Sequence, residues 1–191
     1  MPRDGSATRR RLLDAAAAEF SRYGIAGARV DRIAADAGAN KAQLYAWHSS
    51  KDGLFDAVFG EHLNLIVDLV PFDAFDLPGY VVSLYDAYLE RPEIVRLAQW
   101  ARLERVPTGN LLTAATAEVD AKTENVRAAQ AAGVIDPALD PHDVYAMVIG
   151  MSLTWSPASP TVTAAPGDRR SEHDRRRAAL ATAVGRAFRP G

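Results

Sequence analysis

Residues 27–51 constrain this chain most, because two short helical patterns lie there on either side of a glycine-containing turn. The first pattern consists of four apolar residues at helical spacing, Val30, Ile33, Ala34 and Ala37. Gly38 marks the turn, and Leu44 is the apolar anchor of the second pattern. Two short helices joined in this way form a helix-turn-helix, which places its second helix in the major groove of DNA. The segment therefore predicts a double-stranded DNA partner.

The second pattern opens with side chains that suit base edges, namely Asn40, Lys41, Ala42 and Gln43. Glutamine can pair with adenine through two hydrogen bonds, lysine can reach guanine, and alanine can touch a thymine methyl group. Four residues further on suit phosphate contacts, which position a helix without reading sequence: Tyr45, His48, Ser50 and Lys51. An ordinary helical hairpin with a solvated polar face is the alternative interpretation of the same residues.

The charge of the chain is divided unevenly between these residues and the rest. Residues 1–51 hold nine Lys and Arg against five Asp and Glu, whereas residues 52–191 hold thirteen against nineteen. A basic segment attached to an acidic one suggests that only the first meets a polyanion. We therefore predict a DNA-binding domain over 1–51 and a second domain over 52–191.

The periodicity predicts an all-α protein of about nine helices, since no stretch alternates apolar and polar residues long enough to indicate a strand. The predicted helices span residues 6–23, 30–37, 41–47, 51–70, 80–90, 92–105, 111–132, 141–155 and 169–188. Gly24 is expected to end the first helix and Ser50 to cap the fourth, which links the two domains. Two prolines, a glycine and two aspartates within 71–79 indicate the change of unit.

The first 60 residues or so resemble the DNA-binding domain of the TetR family of transcriptional regulators. The resemblance lies in fixed positions at the family's spacing: Phe20, Gly24, Val30, Ile33, Ala34, Gly38, Lys41, Leu44, Tyr45, Lys51 and Leu54. It implies an all-α homodimer with a three-helix head and a helical body, and repression relieved by a small molecule. It also implies DNA contacts from Asn40, Lys41, Gln43, Tyr45 and Lys51. On this resemblance, 52–191 is the ligand-binding and dimerisation domain.

Two positions depart from the family pattern. Arg29 stands where the family usually has Ser or Thr, so it is a poor helix cap but a stronger phosphate partner. His48 stands where the family usually has Phe, which affects the packing under the fourth helix. We expect His48 to contact the DNA backbone, with a charge at low pH, and a packed surface histidine is the alternative.

The body concentrates aromatic and methionine side chains that could enclose an apolar cavity with a few polar groups inside. The predicted ligand-binding residues are Tyr85, Tyr88, Trp100, Gln130, Met147, Met151 and Trp155. The alternative is that these side chains are simply core, which is the usual role of an aromatic stripe at helical spacing.

The last two predicted helices are expected to form the homodimer surface. Helix 141–155 is apolar nearly all round, and Gly150 permits close backbone approach. Helix 169–188 adds Ala179, Leu180, Ala183, Val184 and Ala187. Two-fold symmetry would then match a palindromic operator. These faces could instead cover the body's own core.

We expect neither an enzyme nor a cofactor or metal site, because the sequence has no phosphate loop, nucleophile elbow or paired metal-ligand motif. No run of about 18 apolar residues predicts a membrane span, and the absence of cysteine fits the cytoplasm. The predicted function is a DNA-binding regulator, most simply a repressor released from its operator by a small apolar or aromatic effector that the sequence does not identify. A DNA-binding interaction protein without a ligand is the alternative, and a helical small-molecule-binding or catalytic protein without a DNA role is a third.

Overall fold

The structure is a computed structural model that describes residues 3–191, apart from the side chains of residues 3–5 and of Asn64. Nine α-helices and no strand occur in this part of the chain, which confirms the all-α prediction. The helices are α1 Arg3–Gly27, α2 Val30–Asp36, α3 Lys41–His48, α4 Lys51–Val67, α5 Leu77–Glu90, α6 Pro92–Glu104, α7 Thr116–Ala131, α8 Pro141–Ser152 and α9 Arg170–Ala187. None of these helices is both long and apolar enough to cross a bilayer.

Helix α1 changes direction at Gly24, where its first part was predicted to end. Gly24 has φ 72° and ψ 179°, a conformation that is essentially restricted to glycine. The turn after it runs to Gly27 and leads into α2.

Helix α4 ends at Val67, three residues earlier than predicted. The Lys122 ammonium donates to the carbonyl of Val67 and, at 3.0 Å, to the Asp68 carboxylate. A cation on the last carbonyls of a helix stabilises its end. Lys122 lies 55 residues after Val67 in the sequence, so the local pattern of α4 does not show that the helix ends there.

The chain forms two compact units. The first unit holds residues up to Ile66 together with Glu93–Leu111, and the second holds Val67–Pro92 together with Leu112–Gly191. Helix α4 and nearly all of α6 therefore belong to the unit that carries α1, α2 and α3, and the packing boundaries differ from the predicted division at residue 51. The division by function remains a prediction.

The core of the first unit forms around aromatic rings from α1 and α4. The rings of Phe20 and Phe55 pack edge to face with centroids 5.2 Å apart. Ile33 from α2, Leu44 from α3 and Leu97 from α6 are fully buried in the same cluster. The two short helices are thus fixed by tertiary burial, as the sequence predicted for Ile33 and Leu44, because helices of seven and eight residues are not stable alone.

The second unit is built around α5, which packs against α8 and α9, while α7 packs against α8. Phe72 meets the rings of Tyr80 and Tyr145 edge to face, at centroid distances of 5.0 and 5.5 Å. The fully buried aliphatic residues include Val81, Val126, Val144, Val148 and Val184.

We expect Gly24→Ala to destabilise the protein more than Gly38→Ala, a matched substitution at another glycine with positive φ. Gly38 has φ 62° and open space where a Cβ would lie, so alanine there pays about 1–2 kcal/mol for the backbone alone. At Gly24 the new Cβ would also lie 2.9 Å from the Trp100 ring and from Glu104, which adds about 1–3 kcal/mol of overpacking. Urea unfolding of both variants measures the difference, and equal losses would contradict the close approach of α6 to Gly24.

Candidate nucleic-acid interface

Helices α2 and α3 are joined by a closed turn. The N–H of Ala37 donates to Ile33 at 3.0 Å, and the N–H of Ala39 donates to Ala34 at 2.9 Å. Gly38 supplies the positive φ that this helix ending requires. The turn therefore leads α3 away from α2 while Leu44 stays in the core.

The first turn of α3 is closed by a capping box. Asn40 Oδ1 accepts the Gln43 N–H at 2.8 Å, and Gln43 Oε1 accepts the Asn40 N–H at 3.2 Å. Each side chain satisfies a backbone donor that the helix leaves unpaired. Both residues lie on the protein surface, as predicted, but the carbonyl oxygen of each amide is already engaged.

Lys41 lies at the start of α3 in an ion pair with Asp31 of α2. Both side chains are about half exposed, at 58% and 51%. An ion pair this open contributes about 0–1 kcal/mol, so it can be exchanged for another partner at small cost.

The outer surface of α3 exposes two aromatic rings, Tyr45 at 46% and Trp47 at 37%. Ala42 and Ala46 are exposed beside them. Sequence reasoning selected Tyr45 and Ala42 but missed Trp47. Trp47 lies three residues after Leu44, a spacing that predicts the inward face, so the local pattern does not reveal its exposure.

Arg29 precedes α2 and makes no side-chain cap, as its residue type predicts. Glu19 of α1 holds the start of α2 in another way, since its Oε1 accepts the Arg29 N–H and the Arg32 Nε–H, each at 2.8 Å. Burial opposes the charge on Glu19, but these hydrogen bonds and the Arg32 charge leave its pKa below the usual value. The Arg29 side chain is exposed and makes no capping hydrogen bond.

Lys51 begins α4, and its ammonium donates to the carbonyls of Ala26 and Ala28 at 3.1 and 3.3 Å. The side chain thus holds the connection between α1 and α2. Ser50 caps α4 as predicted, because its hydroxyl accepts the Gly53 N–H at 3.0 Å.

The structure corrects the prediction for His48. This side chain is only 7% exposed, and within the described residues its Nε2 has no hydrogen-bond partner. Burial lowers the pKa of His48 below its usual value, and the charge of Arg9 adds to the effect against an opposing contribution from Glu61. His48 is therefore a neutral core residue in place of the family's Phe, and a backbone-contacting imidazolium is ruled out in this conformation.

Three of the predicted ligand-binding residues lie together in the second unit, where Tyr85, Tyr88 and Trp155 line a cavity of about 40 Å³. The remaining lining residues are Leu89, Pro92, Ser156, Pro157, Ala164 and Pro166. Tyr85 Oη lies 2.6 Å from His173 Nδ1, and Tyr88 Oη lies 3.4 Å from Ser152 Oγ. Burial raises the pKa of Tyr88 despite this hydrogen bond, so this phenol is a neutral polar group beside an apolar space.

The other four predicted ligand-binding residues lie outside this cavity. Trp100 belongs to the first unit, where its Nε1–H donates to the Ser21 carbonyl at 3.4 Å. The Gln130 amide donates to the carbonyls of Asp136 and Leu139, at 3.0 and 2.8 Å, and so holds the loop after α7. Met147 and Met151 line an open groove of about 500 Å³ instead, along α8 and the end of α9.

Helices α8 and α9 each divide into a buried and an exposed row. Leu180 and Val184 are buried in the second unit's own core, so these members of the predicted dimer surface are internal. The exposed side of each helix includes a row of small residues, with one methionine: Ala146, Met147 and Gly150 on α8 and Ala179, Ala183 and Ala187 on α9. The groove that contains Met147 and Gly150 also contains Ala187, so the two rows adjoin.

Comparison with known proteins identifies the family. A model described as "Bacterial regulatory proteins, tetR family" matches residues 12–58, and one described as "Tetracyclin repressor-like, C-terminal domain" matches residues 76–186. The HTH-type transcriptional repressor SCO4008 of Streptomyces coelicolor is 38% identical over 160 residues, which cover 83% of this chain and 82% of that protein. The HTH-type transcriptional regulator RutR of Escherichia coli is 27% identical over 176 residues, covering 85% and 80%.

The solved structures agree with this result. The crystal structure of SCO4942 from Streptomyces coelicolor matches with a TM-score of 0.76 at 37% identity, over 95% of this chain and 98% of that one. The chain belongs to the TetR family of DNA-binding transcriptional regulators, whose members bind operator DNA and act as dimers. The resemblance seen in residues 20–54 is thereby confirmed.

We expect acid to destabilise the protein through His48, and His48→Phe to remove that loss. The unfolded chain takes up the proton near pH 6.5, before the buried ring does, so the free energy of unfolding falls as the pH drops below that value. The loss amounts to about 1.4 kcal/mol for each pH unit by which burial lowers the pKa.

Urea unfolding between about pH 7.5 and about pH 5.5 measures this effect, with His142→Gln as the control because His142 is exposed. An acid loss of the same size in His48→Phe and in the unchanged protein would show that His48 is not the group responsible.

Proposed function

We propose that this regulator is a repressor that binds a palindromic operator as a homodimer, with α3 of each protomer in the major groove. One observation carries the proposal: the leading side chains of α3, Gln43 and Tyr45 among them, lie on the protein surface while Leu44 anchors the helix from below. This is the arrangement that a reading helix requires. Operator binding of this kind takes place in the cytoplasm, where bacterial DNA lies.

The proposed contacts divide into two groups. Asn40, Lys41, Ala42 and Gln43 face the bases at the start of α3, and Tyr45 lies one turn further on. Arg29 and Lys51 face the phosphates. Arg29 is the stronger of these two, because its side chain is exposed whereas the Lys51 ammonium already serves two carbonyls. Phosphate contacts of this type give affinity that falls steeply with salt.

Arg29→Ala is expected to weaken binding to all duplexes alike and to flatten the salt dependence. Each phosphate contact contributes about 0.9 to the slope of log K against log salt, so a dimer that loses two should show a slope smaller by about two. Fluorescence anisotropy over a salt series, with DNA flanking the protein's own gene and a random duplex, provides the measurement. Arg127→Ala in the second unit is the matched control.

An unchanged slope in Arg29→Ala would remove Arg29 from the interface. Failure of the unchanged protein to bind any DNA at low salt would overturn the proposed function itself.

The exposed rows of α8 and α9 are the proposed dimer surface. Small side chains at Gly150, Ala179 and Ala183 allow the helices of two protomers to approach closely, and Met147 can fill gaps between them. In the proposed dimer this surface pairs with its own copy about a two-fold axis, which is the symmetry that a palindromic operator needs.

Ala183→Glu is expected to yield a monomer and to abolish tight operator binding, because it buries a carboxylate in the proposed interface. Ala178→Glu is the control, since Ala178 is exposed on the side of α9 that carries Arg175 and Thr182. Light scattering after gel filtration gives the mass of each variant. A dimeric Ala183→Glu would move the interface elsewhere.

The cavity beside Tyr85, Tyr88 and Trp155 is the proposed effector site. Its apolar lining and two phenols suit a small apolar or aromatic molecule with one polar group. A volume of about 40 Å³ holds a water molecule or two, so an effector must bind a more open form of the second unit and shift the population toward it. Pro92 lines the cavity and is the first residue of α6, whose other residues belong to the first unit, so α6 connects the two along the chain.

A regulator without an effector is the second candidate. The small volume of the cavity favours it, because a solid second unit would serve only as core and dimer surface.

A further inference from the structure

The polar side chains at the start of α3 are engaged within the protein. Gln43 Oε1 accepts the Asn40 N–H, and Asn40 Oδ1 accepts the Gln43 N–H. A glutamine recognises adenine by accepting from N6 and donating to N7 at once. The Gln43 oxygen has a second lone pair and the amide keeps its N–H donors, but the bond to Asn40 restricts the orientation of that amide. An adenine pair that needs another orientation would therefore cost the helix its cap.

Lys41 is also paired within the protein, although this ion pair is open and can be exchanged at small cost. A move of its ammonium to guanine or phosphate would leave the Asp31 carboxylate unpaired close to the DNA. Repulsion between that carboxylate and the phosphates offsets part of what Lys41 gains from the DNA. The net contribution of Lys41 is therefore smaller than that of a lysine without an acidic neighbour.

The part of α3 that remains for the bases is apolar and aromatic. Ala42, Tyr45 and Ala46 are spaced i, i+3 and i+4, which places them on one stripe of the helix, and all three are exposed. Trp47 is exposed on the neighbouring side. The stripe begins in the first turn of α3, which is the part of a reading helix that contacts base edges.

The major groove presents one apolar group at its floor, the C5 methyl of thymine, and alanine side chains contact it directly. We infer that this protein selects its operator chiefly through thymine methyl groups, with Ala42 as the residue that contacts the first of them. The inference rests on the proposed function and names the feature of DNA that the same surface recognises. Burying one methyl group corresponds to about a four-fold change in affinity.

The experiment starts from the full-length protein and a random-sequence duplex library. Repeated selection yields the preferred site, and each thymine in it is then replaced by deoxyuridine, one position at a time. Deoxyuridine lacks only the C5 methyl, so base pairing and phosphates are unchanged. We expect about four-fold weaker binding at one or more thymines in each half-site, measured by fluorescence anisotropy at fixed salt.

Ala42→Gly assigns the contact to its residue. The variant should bind the thymine and deoxyuridine versions equally at one position of each half-site and keep the preference at the others. Ala18→Gly, at an exposed position within α1, is the matched control for the helix-weakening effect of glycine and should keep every preference. Thermal unfolding of both variants verifies that they are folded at the assay temperature.

The outcomes separate cleanly. If a site is selected but every deoxyuridine version binds as well as the parent, methyl recognition is wrong while the proposed function stands. If the library yields no preferred sequence, the proposed function fails first. The measurement on the unchanged protein decides the main inference by itself, whatever the variants do, and a methyl preference that persists in Ala42→Gly at all positions would reassign it to Tyr45, Ala46 or Trp47.

Discussion

The burial of Leu44 beneath α3 is the contact on which the rest of the first unit depends. An eight-residue helix cannot hold its hydrogen bonds in water, so its existence has to come from the core that it covers. Leu44 meets the cluster around Phe20 and Phe55, and His48 extends the same buried face by one turn. Because these two inward positions are fixed, the outward positions between them are fixed as well. The surface that α3 presents is therefore a consequence of how α1 and α4 pack.

The segment between α1 and α2 is held from three sides, and this sets the position of both short helices. The Glu104 carboxylate of α6 accepts the N–H groups of Ile25 and Ala26, at 3.1 and 3.0 Å. Lys51 binds the carbonyls on the other side, and Glu19 takes the N–H of Arg29. Each partner satisfies a backbone group that the break at Gly24 leaves open. The membership of α6 in the first unit follows from these bonds, which no local sequence pattern contains.

A structural feature was predicted accurately when the residues that determine it are close together in the sequence. The positions of α2, the Gly38 turn and α3 follow from spacing within a few residues, and they were predicted closely. The capping box was also within reach, since Asn40 and Gln43 have its three-residue spacing. Three features depend on partners that are distant in sequence: the location of Trp100, the burial of His48, and the end of α4 at Val67 beside Lys122. The local pattern of a single sequence does not show which distant residues will be in contact. The predicted ligand-binding residues of the body were limited in the same way. Three of them line one cavity, whereas Gln130 and the methionines lie elsewhere in the second unit.

Several lysines and arginines of the first 51 residues have partners within the protein, and this affects how the segment binds DNA phosphates. Arg10 is paired with Asp14, Arg32 with Glu19 and Lys41 with Asp31, and Lys51 binds two carbonyls. Three of these cations are held against carboxylates of the same segment, which leaves its net charge unchanged but reduces the number of phosphate contacts that its side chains can make. A DNA-binding protein with fewer phosphate contacts derives a larger share of its affinity from contacts that differ between DNA sequences. The exposed stripe of alanine and aromatic side chains on α3 supplies contacts of that kind, so the internal pairing of the charges and the apolar reading face act in the same direction, toward discrimination.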